Sequence, residues 1–347
     1  MVEQETLNLL VRGSSPRPFT TSFFPVTRFA PTPSGGLHFG SLVAALAGYL
    51  FVRSSPLGRW YLRFDDGDTL RNVPGATDQI MRQLEGFHLH WDGPVVYQSE
   101  HVDEYQAVLE EWSAADLVFP CSCSRQDLDR QGAVRNASGE RIYPGNCRTP
   151  GPATAQDSHR AHEQTTLRLD VLGLLRRRTF AVRSSFDDIV QGQQEADLDR
   201  EWPAPVVRRA DGIVAYHLAN VVDDRRMGVT HVIRGADLLG VTHVHRILEG
   251  LLPAAASQLD RHPILYGHVP LVTDEHGRKL SKSDRDILDG EVSGAGGIGA
   301  ARLLRRALCF LGFTGLAAES ADCAELLEEA LGIWKGLAAA KSGPETT

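Results

Sequence analysis

The segment His38-Phe-Gly-Ser41 carries residue types that can bind a phosphate group. It follows a predicted strand, Phe23 to Ala30, and a proline- and glycine-containing loop, and it opens an apolar helix predicted over Leu37 to Val52. The first N–H groups of a helix lack intrahelical partners and lie at the positive end of its dipole, which favours anions. His38 adds a side-chain donor, and Gly40, which has no Cβ, lets a flat base approach the backbone. Taken alone, a histidine at this place is more often a helix cap or a core residue.

A second candidate phosphate site is the loop Lys279-Leu-Ser-Lys-Ser283, which follows the glycine-containing turn Glu275-His-Gly277. Two ammonium groups on a short loop can hold a polyphosphate and neutralise the charge that develops at the α-phosphorus during displacement. Lys and Arg total 36 in this chain, yet only four are lysines, the other two being Lys335 and Lys341. Because lysine is so rare here, two of them three residues apart favour a function over an ordinary solvated turn.

Three of the five cysteines lie close together in the sequence, namely Cys121, Cys123 and Cys147. Thiolates bind Zn²⁺ tetrahedrally, and a site closed by four protein ligands is usually structural. The fourth ligand is open at this point: Tyr143 could supply a phenolate oxygen, and His162 or a water molecule are rivals. Three unrelated cysteines remain the alternative. Cys309 and Cys323 stand alone in predicted helices, as ordinary thiols would.

The elements around these motifs predict an α/β fold. A strand, a glycine-containing loop and a helix lead to a second strand over Trp60 to Phe64, which ends in the acidic turn Asp65 to Asp68. Helical spacing follows over Thr77 to Phe87. This order is the opening of a doubly wound α/β domain. Further strands are predicted over Thr166 to Val171 and over Thr179 to Val190.

Changes in composition divide the chain into five parts. Residues 118–160 are rich in Gly, Pro, Cys and polar groups, which suits a loop-rich insertion that a metal holds together. Amphipathic helices are predicted over Ala300 to Phe313 and Ala324 to Ala339. The predicted boundaries give a loose tail, a first α/β part, the metal-holding insertion, a second α/β part and a linker with a helical C-terminal unit, at 1–21, 22–117, 118–205, 206–283 and 284–347.

Composition excludes several classes of protein. The chain has 347 residues, 42% of them hydrophobic, which is enough apolar material for a sizeable core. Its longest apolar run, Leu42 to Val52, is about half of what a bilayer needs, so we expect no membrane span. Glu3 and Glu5 stand where a secretory signal carries basic residues, so we expect a cytoplasmic location. A net charge of −8 argues weakly against a nucleic-acid protein, although arginine clusters such as Arg176 to Arg178 could contact RNA.

The two phosphate motifs together resemble the signature motifs of class I aminoacyl-tRNA synthetases. The segment Arg28-Phe-Ala-Pro-Thr-Pro-Ser-Gly-Gly-Leu-His38 looks like the corresponding motif of the glutamyl/glutaminyl branch. Two further segments also resemble motifs of this family, namely Ala215 to Asp224 and Ile233-Arg-Gly-Ala-Asp-Leu-Leu239. The resemblance runs from about Arg28 to Ser283. It implies a Rossmann-like doubly wound parallel sheet with an inserted zinc-holding acceptor domain and a small C-terminal helical unit.

The resemblance also implies ligands. Glutamate would be held by Arg28, Ala30, Thr32, Asp65, Tyr216 and Arg234. Asp65 stands where the family usually has Glu, so its side chain is one methylene shorter and a water molecule could bridge to the α-ammonium group. ATP, with Mg²⁺, would be held by His38, Gly40, Ser41, Lys279, Ser281 and Lys282, of which His38, Gly40, Lys279 and Lys282 would act on the reacting phosphate.

The cysteine pattern points to one subfamily. A Cys-x-Cys…Tyr-x-x-x-Cys site is similar to that of the glutamyl-queuosine tRNA(Asp) synthetases, which implies Cys121, Cys123, Tyr143 and Cys147 as ligands of one structural Zn²⁺. Only 64 residues follow Ser283, too few for the usual anticodon-reading domains. The resemblance therefore implies transfer of glutamate to queuosine, the modified wobble base of tRNA(Asp), with no obligate protein partner.

Three alternatives stay open from the sequence. The first is a small glutamyl-tRNA synthetase that charges the tRNA 3′ end. The second is an ATP-dependent ligase or nucleotidyltransferase of the same superfamily, which Arg28 and Arg234 disfavour. The third is a zinc-held RNA-binding protein without catalytic activity, which the intact signature motifs disfavour.

Overall fold

The computed structural model describes residues 24–136, 138–145, 147, 165–253, 262–273, 298–317 and 322–341. Several predicted features lie outside these ranges. They are the tail 1–21, the rival zinc ligand His162, the phosphate-binding residues Lys279, Ser281 and Lys282, and nearly all of the predicted linker.

A parallel sheet forms the first half of the fold. Strand β1 (Val26–Phe29) pairs with β2 (Arg59–Phe64), and β2 pairs with β3 (Val96–Tyr97), both in parallel. Between them run helix α1 (Phe39–Arg53) and helix α2 (Ala76–Gly86). Parallel strands need such crossovers, and the predicted strand–helix–strand opening is confirmed.

Helix α1 begins two residues later than predicted because His38 is its cap. The backbone of His38 is extended, with φ −105° and ψ 166°, and its side chain accepts a hydrogen bond from the N–H of Ser41. Ten residues of the helix are buried, and Gly48 lies where a Cβ would meet the Trp60 side chain at 3.3 Å. The apolar run is therefore a core helix.

The second half contributes strands β9 (His231–Gly235) and β10 (Leu265–Val269), which pair in parallel. Thr230 joins β9 to β1, since its N–H donates to the carbonyl of Val26 and its hydroxyl accepts from the Val26 N–H. The pair β9-β10 thus lies beside β1 of the three-stranded sheet, and the strands follow in the order β3-β2-β1-β9-β10, which is the doubly wound order with a reversal between β1 and β9.

Two helices cover this second half. Helix α7 (Tyr216–Arg226) is buried along residues 217–224, so it shows no polar face, and helix α8 (Thr242–Leu251) packs against it. A helix buried all round lacks the amphipathic period that identifies helices in a sequence. Helix α3 (Val102–Ala114) lies beside α7 and leads out of the first half.

The insertion is built on antiparallel strands. Strands β4 (Val118–Cys121), β5 (Thr166–Leu169) and β8 (Val206–Arg208) form one sheet in the order β4-β5-β8. A hairpin of β6 (Arg183–Asp188) and β7 (Gly192–Asp197) forms another. Short helices connect them, namely α4 (Arg125–Arg130), α5 (Val171–Arg176) and α6 (Leu198–Glu201).

The predicted strand over Thr179 to Val190 is wrong in extent. It begins only at Arg183, and its partner β7 was not predicted. The β7 sequence Gly-Gln-Gln-Glu-Ala-Asp has no apolar alternation, so the period-2 pattern of a half-buried strand is missing. Gly192 opens β7 at φ +71°, the left-handed conformation that a tight turn requires.

Helices α9 (Ile298–Phe310) and α10 (Cys323–Lys341) share a core with the parallel sheet, because both pack on α1. A second core joins α3, β5, α5, α7 and α8, and so crosses the predicted boundaries at 117/118 and 205/206. Among the described residues, no helix combines the length and apolar character that a membrane span needs. The domain boundaries themselves stay a prediction.

Candidate active site

A cavity of about 80 Å³ opens where β1 and β9 end, at the reversal of strand order. In doubly wound sheets, ligands bind outside the carboxyl ends of the strands at this reversal. The cavity is lined by Arg28, Phe29, Ala30, Ala44, Asp65, Tyr216, Asn220, Ile233, Arg234 and Leu238. Five of the six residues predicted to bind glutamate are thus brought together, while Thr32, which the structure also describes, lies outside this lining.

Arg28 is held in the cavity wall by buried partners. Its Nε donates to Asp224 Oδ1 at 2.8 Å, and its Nη2 donates to Asn220 Oδ1 at 3.1 Å, with only 4% of the residue exposed. Although burial raises the pKa of Asp224, the guanidinium groups of Arg28 and Arg63 hold it below its usual value. Arg28 is therefore a fixed cation opposite an ionised carboxylate.

Arg63 lies behind the cavity and fixes Asp65. It is fully buried, and its guanidinium donates to Asp65 Oδ1 at 2.8 Å, Asp224 Oδ1 at 2.6 Å and Asn220 Oδ1 at 2.9 Å. Burial raises the pKa of Asp65, and the charge of Arg63 opposes that rise. A carboxylate has about four acceptor positions, so the two oxygens of Asp65 keep acceptor capacity for an ammonium group.

Asn220 was missed by the sequence analysis. Its Oδ1 accepts from both Arg28 and Arg63, and its Nδ2 donates to Asp65 Oδ2 at 2.8 Å. It lies four residues after Tyr216 in helix α7, which places both side chains on one face. That spacing within Ala215 to Asp224 makes Asn220 a candidate but does not distinguish it from the neighbouring residues.

Arg234 lines the other side of the cavity, and its donors are almost fully engaged by the protein. Its Nε donates to His268 Nε2 at 3.0 Å, and its Nη2 donates to Thr242 Oγ1 at 2.8 Å and to the Leu238 carbonyl at 3.2 Å. Its Nη1 lies 3.3 Å from His245 Nδ1 and 3.5 Å from the Tyr216 hydroxyl. The donor directed at Tyr216 is the most weakly held, and Tyr216, 37% exposed, lines the cavity beside it.

His38, Gly40 and Ser41 lie together at the start of α1. His38 Nδ1 accepts from the Ser41 N–H at 3.1 Å, which places the proton of a neutral imidazole on Nε2. A Cβ at Gly40 would lie 3.2 Å from the His38 ring, so glycine leaves room for the histidine as well as for a ligand. The three residues predicted to complete the ATP site, Lys279, Ser281 and Lys282, lie outside the described residues.

The three clustered cysteines meet in space. Their sulfur atoms all lie within 4.8 Å of one another, and Cys123 Sγ lies 3.2 Å from Cys147 Sγ. A zinc ion about 2.3 Å from each sulfur in a tetrahedron needs sulfur atoms about 3.8 Å apart, so only small shifts are required. Burial raises the pKa of Cys147, but hydrogen bonds from Cys123 and Tyr143 outweigh burial and lower it to about 7.

Tyr143 reaches the same cluster. Its hydroxyl oxygen accepts from the Cys147 N–H at 2.6 Å, and the Arg168 guanidinium carbon lies 4.7 Å from its ring centroid. A cation over the ring fixes its orientation. The donor set of three sulfurs and one phenol oxygen therefore fits a closed, four-ligand zinc site.

A larger cavity of about 900 Å³ adjoins the cysteine cluster. Its lining includes the carboxylates of Glu140, Glu201 and Asp211 and five arginines, namely Arg125, Arg135, Arg141, Arg168 and Arg209. Arginine at this density suits a phosphate-bearing ligand.

Comparison with known proteins identifies the fold and the family. Residues 26–330 match the family model of the class I tRNA synthetases (E and Q), catalytic domain. Two solved structures share the fold, a glutamate tRNA ligase from Elizabethkingia meningosepticum (TM-score 0.62, 23% identity) and a glutamate-tRNA synthetase from Elizabethkingia anophelis (TM-score 0.64, 24% identity). Each alignment covers 88% of this chain, which spans 64% and 65% of those two chains. The chain belongs to the class I glutamyl- and glutaminyl-tRNA synthetase family, so the predicted synthetase-like α/β fold is confirmed, while the zinc-holding character of the insertion stays a prediction.

Curated relatives place it more closely. It is 43% identical over 260 residues to the glutamyl-Q tRNA(Asp) synthetase of Pseudomonas putida, covering 75% of this chain and 76% of the relative. It is 42% identical over 294 residues to that of Aromatoleum aromaticum, covering 83% and 81%, and 42% identical over 262 residues to that of Synechococcus sp., covering 75% and 80%. Within the synthetases, the chain belongs to the glutamyl-Q tRNA(Asp) synthetase family.

Proposed function

We propose that the protein activates glutamate with ATP and transfers it to queuosine in the anticodon of tRNA(Asp). The observation that carries the first step is the cavity at the strand reversal. Two buried guanidinium groups, Arg28 and Arg234, flank it together with the carboxylate of Asp65. Glutamate has two carboxylates and one ammonium group, so its charges complement this lining.

In the first step, an oxygen of the glutamate α-carboxylate attacks the α-phosphorus of ATP. The bond to the bridging oxygen breaks, giving glutamyl-adenylate and pyrophosphate. The nucleophile is already an anion at neutral pH, so the reaction needs no general base, and the protein acts by alignment and charge stabilisation. The Nε2–H of His38 and the start of α1 would bind phosphate, and Lys279 and Lys282 would neutralise the developing charge of the Mg²⁺–ATP substrate.

In the second step, a hydroxyl of queuosine attacks the activated carbonyl carbon, the hydroxyl loses its proton, and AMP leaves. The names of the relatives at 42–43% identity support this acceptor. Single-stranded RNA loops can present an unstacked base to a protein pocket. The arginine-lined cavity of about 900 Å³ would receive the RNA backbone, and a tRNA substrate implies activity in the cytoplasm.

The insertion would hold one Zn²⁺ through Cys121, Cys123, Tyr143 and Cys147. Bound zinc would cross-link this segment, which has a small core of its own around Leu128 and Ala204. The ion would have a structural role, distant from any reacting bond.

The acceptor assay tests the proposal. Labelled glutamate is offered with tRNA(Asp) that contains queuosine, with the same tRNA lacking queuosine, and with queuosine-containing tRNA(Asp) from which the 3′-terminal adenosine has been removed. We expect label on the first and third only. Label that requires the terminal adenosine would instead identify a synthetase that charges the 3′ end, and no label on any tRNA would overturn the transfer step.

A further inference from the structure

A chain of hydrogen bonds runs from the cavity residue Arg234 into the insertion. Arg234 Nη1 lies 3.3 Å from His245 Nδ1, His245 Nε2 lies 3.3 Å from His217 Nδ1, and His217 Nε2 lies 3.0 Å from Glu140 Oε1. His245 is 1% exposed and His217 is 7% exposed. This series of hydrogen bonds thus crosses the protein interior and ends at the Glu140 carboxylate.

The direction of every bond in this chain is determined. A guanidinium can only donate, so His245 Nδ1 must accept and its proton lies on Nε2. His245 Nε2 then donates to His217 Nδ1, which places the His217 proton on Nε2, facing the Glu140 carboxylate. Both imidazoles are neutral in this arrangement. Burial, and next the charge of Arg234, lower the pKa of His245 far below its usual value, which agrees with a neutral ring.

A second chain of the same kind holds the other edge of Arg234. Its Nε donates to His268 Nε2, and His268 Nδ1 lies 2.6 Å from Asp188 Oδ2. Asp188 Oδ1 accepts from three backbone N–H groups, those of Val190, Gln191 and His268, so this anchor is rigid. Arg234 is thus held at both its Nε and its Nη1 edge, in each case by a neutral imidazole that is itself bonded to a carboxylate.

The two carboxylate anchors both belong to the insertion but differ in exposure. Asp188 is the last residue of β6 and is buried together with His268 of β10. The Glu140 side chain is 40% exposed, lines the cavity of about 900 Å³, and lies between the cysteine-cluster residues Cys123 and Tyr143 in sequence. The insertion therefore supplies both carboxylate anchors of a residue in the amino-acid cavity, and Glu140 is the more exposed of the two.

We infer that Glu140, His217 and His245 are positioning residues for the Arg234 guanidinium, so that the insertion helps to set the affinity for glutamate. This inference rests on the proposed function, in which Arg234 binds a substrate carboxylate. Without the Glu140 carboxylate, the His217 ring can turn and no longer holds the His245 ring in place. The Nη1 group of Arg234 then loses its fixed acceptor, His245 Nδ1. When an interaction is removed equally from the ground and transition states, KM rises and kcat stays unchanged.

The test measures glutamate-dependent exchange of pyrophosphate into ATP, without RNA, at varied glutamate and at varied ATP. For Glu140→Ala we expect the KM for glutamate to rise about three- to ten-fold, the range expected from one hydrogen bond, with kcat and the KM for ATP within two-fold of wild type. Glu140→Gln keeps an acceptor oxygen for His217 and should recover most of the affinity. Glu195→Ala removes a carboxylate of β7, which contacts Arg183 on the neighbouring strand, and serves as the matched control.

A double-mutant cycle separates this chain from a general loosening of the insertion. His217→Phe keeps the ring packing against Trp202 but breaks the chain, so adding Glu140→Ala to it should raise the KM for glutamate no further. A wild-type KM for glutamate in Glu140→Ala, or additive effects in the double variant, would overturn the inference.

Thermal stabilisation by glutamate is measured in parallel. If wild type shows no exchange, the proposed function fails, and the same comparison of variants by thermal titration still decides the inference.

Discussion

Asn220→Ala tests whether the buried cluster around the cavity is held together as described. Asn220 is 1% exposed and makes three hydrogen bonds, all to charged partners: Arg28, Arg63 and Asp65. The alanine variant removes all three at once and leaves those charged groups buried.

The expected loss of stability follows from these bonds. A hydrogen bond to a charged group contributes about 1.5–3 kcal/mol, and bonds in one network do not add fully. We therefore expect the free energy of unfolding to fall by about 3 kcal/mol. Because Arg28 and Asp65 both line the cavity, the KM for glutamate in pyrophosphate exchange should also rise about ten-fold or more.

The measurement is urea unfolding followed by tryptophan fluorescence. Asn72→Ala is the matched control, since Asn72 Nδ2 donates to one neutral acceptor, the Asp66 carbonyl, at 2.8 Å. That control should lower the free energy of unfolding by about 1 kcal/mol. If Asn220→Ala lowers it no more than the control and keeps the wild-type KM for glutamate, the cluster does not position the cavity residues.

Three further predictions concern the metal site, acid stability and the start of α1. Purified protein should contain about one Zn²⁺ per chain, and Tyr143→Phe should lose it to a competing chelator faster than Cys309→Ser does; equal rates would make Tyr143 a packing residue. Burial, and next the charge of Arg246, lower the pKa of His243 to about 4. Between about pH 6.5 and 4 the unfolded chain therefore binds more protons than the folded one, so the free energy of unfolding should decrease as the pH is lowered through this window. His243→Phe should flatten the dependence of unfolding free energy on pH there by up to about 1.4 kcal/mol per unit, and an unchanged slope would contradict a neutral ring. Gly40→Ala places a methyl group 3.2 Å from the His38 ring and should lower kcat/KM for ATP about ten-fold while the KM for glutamate stays within two-fold, whereas equal effects on both substrates would speak against a phosphate role.

Local patterns predicted the elements that carry the cavity. The strand before Ala30, the helix after His38 and the strand before Asp65 follow from apolar runs and loop residues over short windows, and the structure shifts their ends by a few residues. The motifs that resemble the synthetase family then predicted five of the cavity residues. Asn220 follows from the same motifs by helical spacing, but spacing alone gives no reason to prefer it over its neighbours.

Long-range contacts could not be predicted in this way. The rings of His217, His245 and His268 come from three different elements, and no local period relates them. Arg63 stands in a strand pattern that is consistent with a solvent-facing cation, yet it is fully buried because three aspartates surround it. Charge pairing of this kind depends on tertiary packing, which a sequence pattern does not contain.

The decisive measurement for glutamate activation is the amino-acid dependence of pyrophosphate exchange into ATP by the purified protein without RNA. We predict exchange with glutamate and at least about 100-fold weaker exchange with glutamine. The side-chain carboxylate of glutamate can form an ion pair with a guanidinium in the cavity, whereas the neutral side-chain amide of glutamine cannot. Arg234→Met should abolish the preference. Exchange that is absent with glutamate, or equal for glutamate and glutamine, would contradict glutamate binding in this cavity.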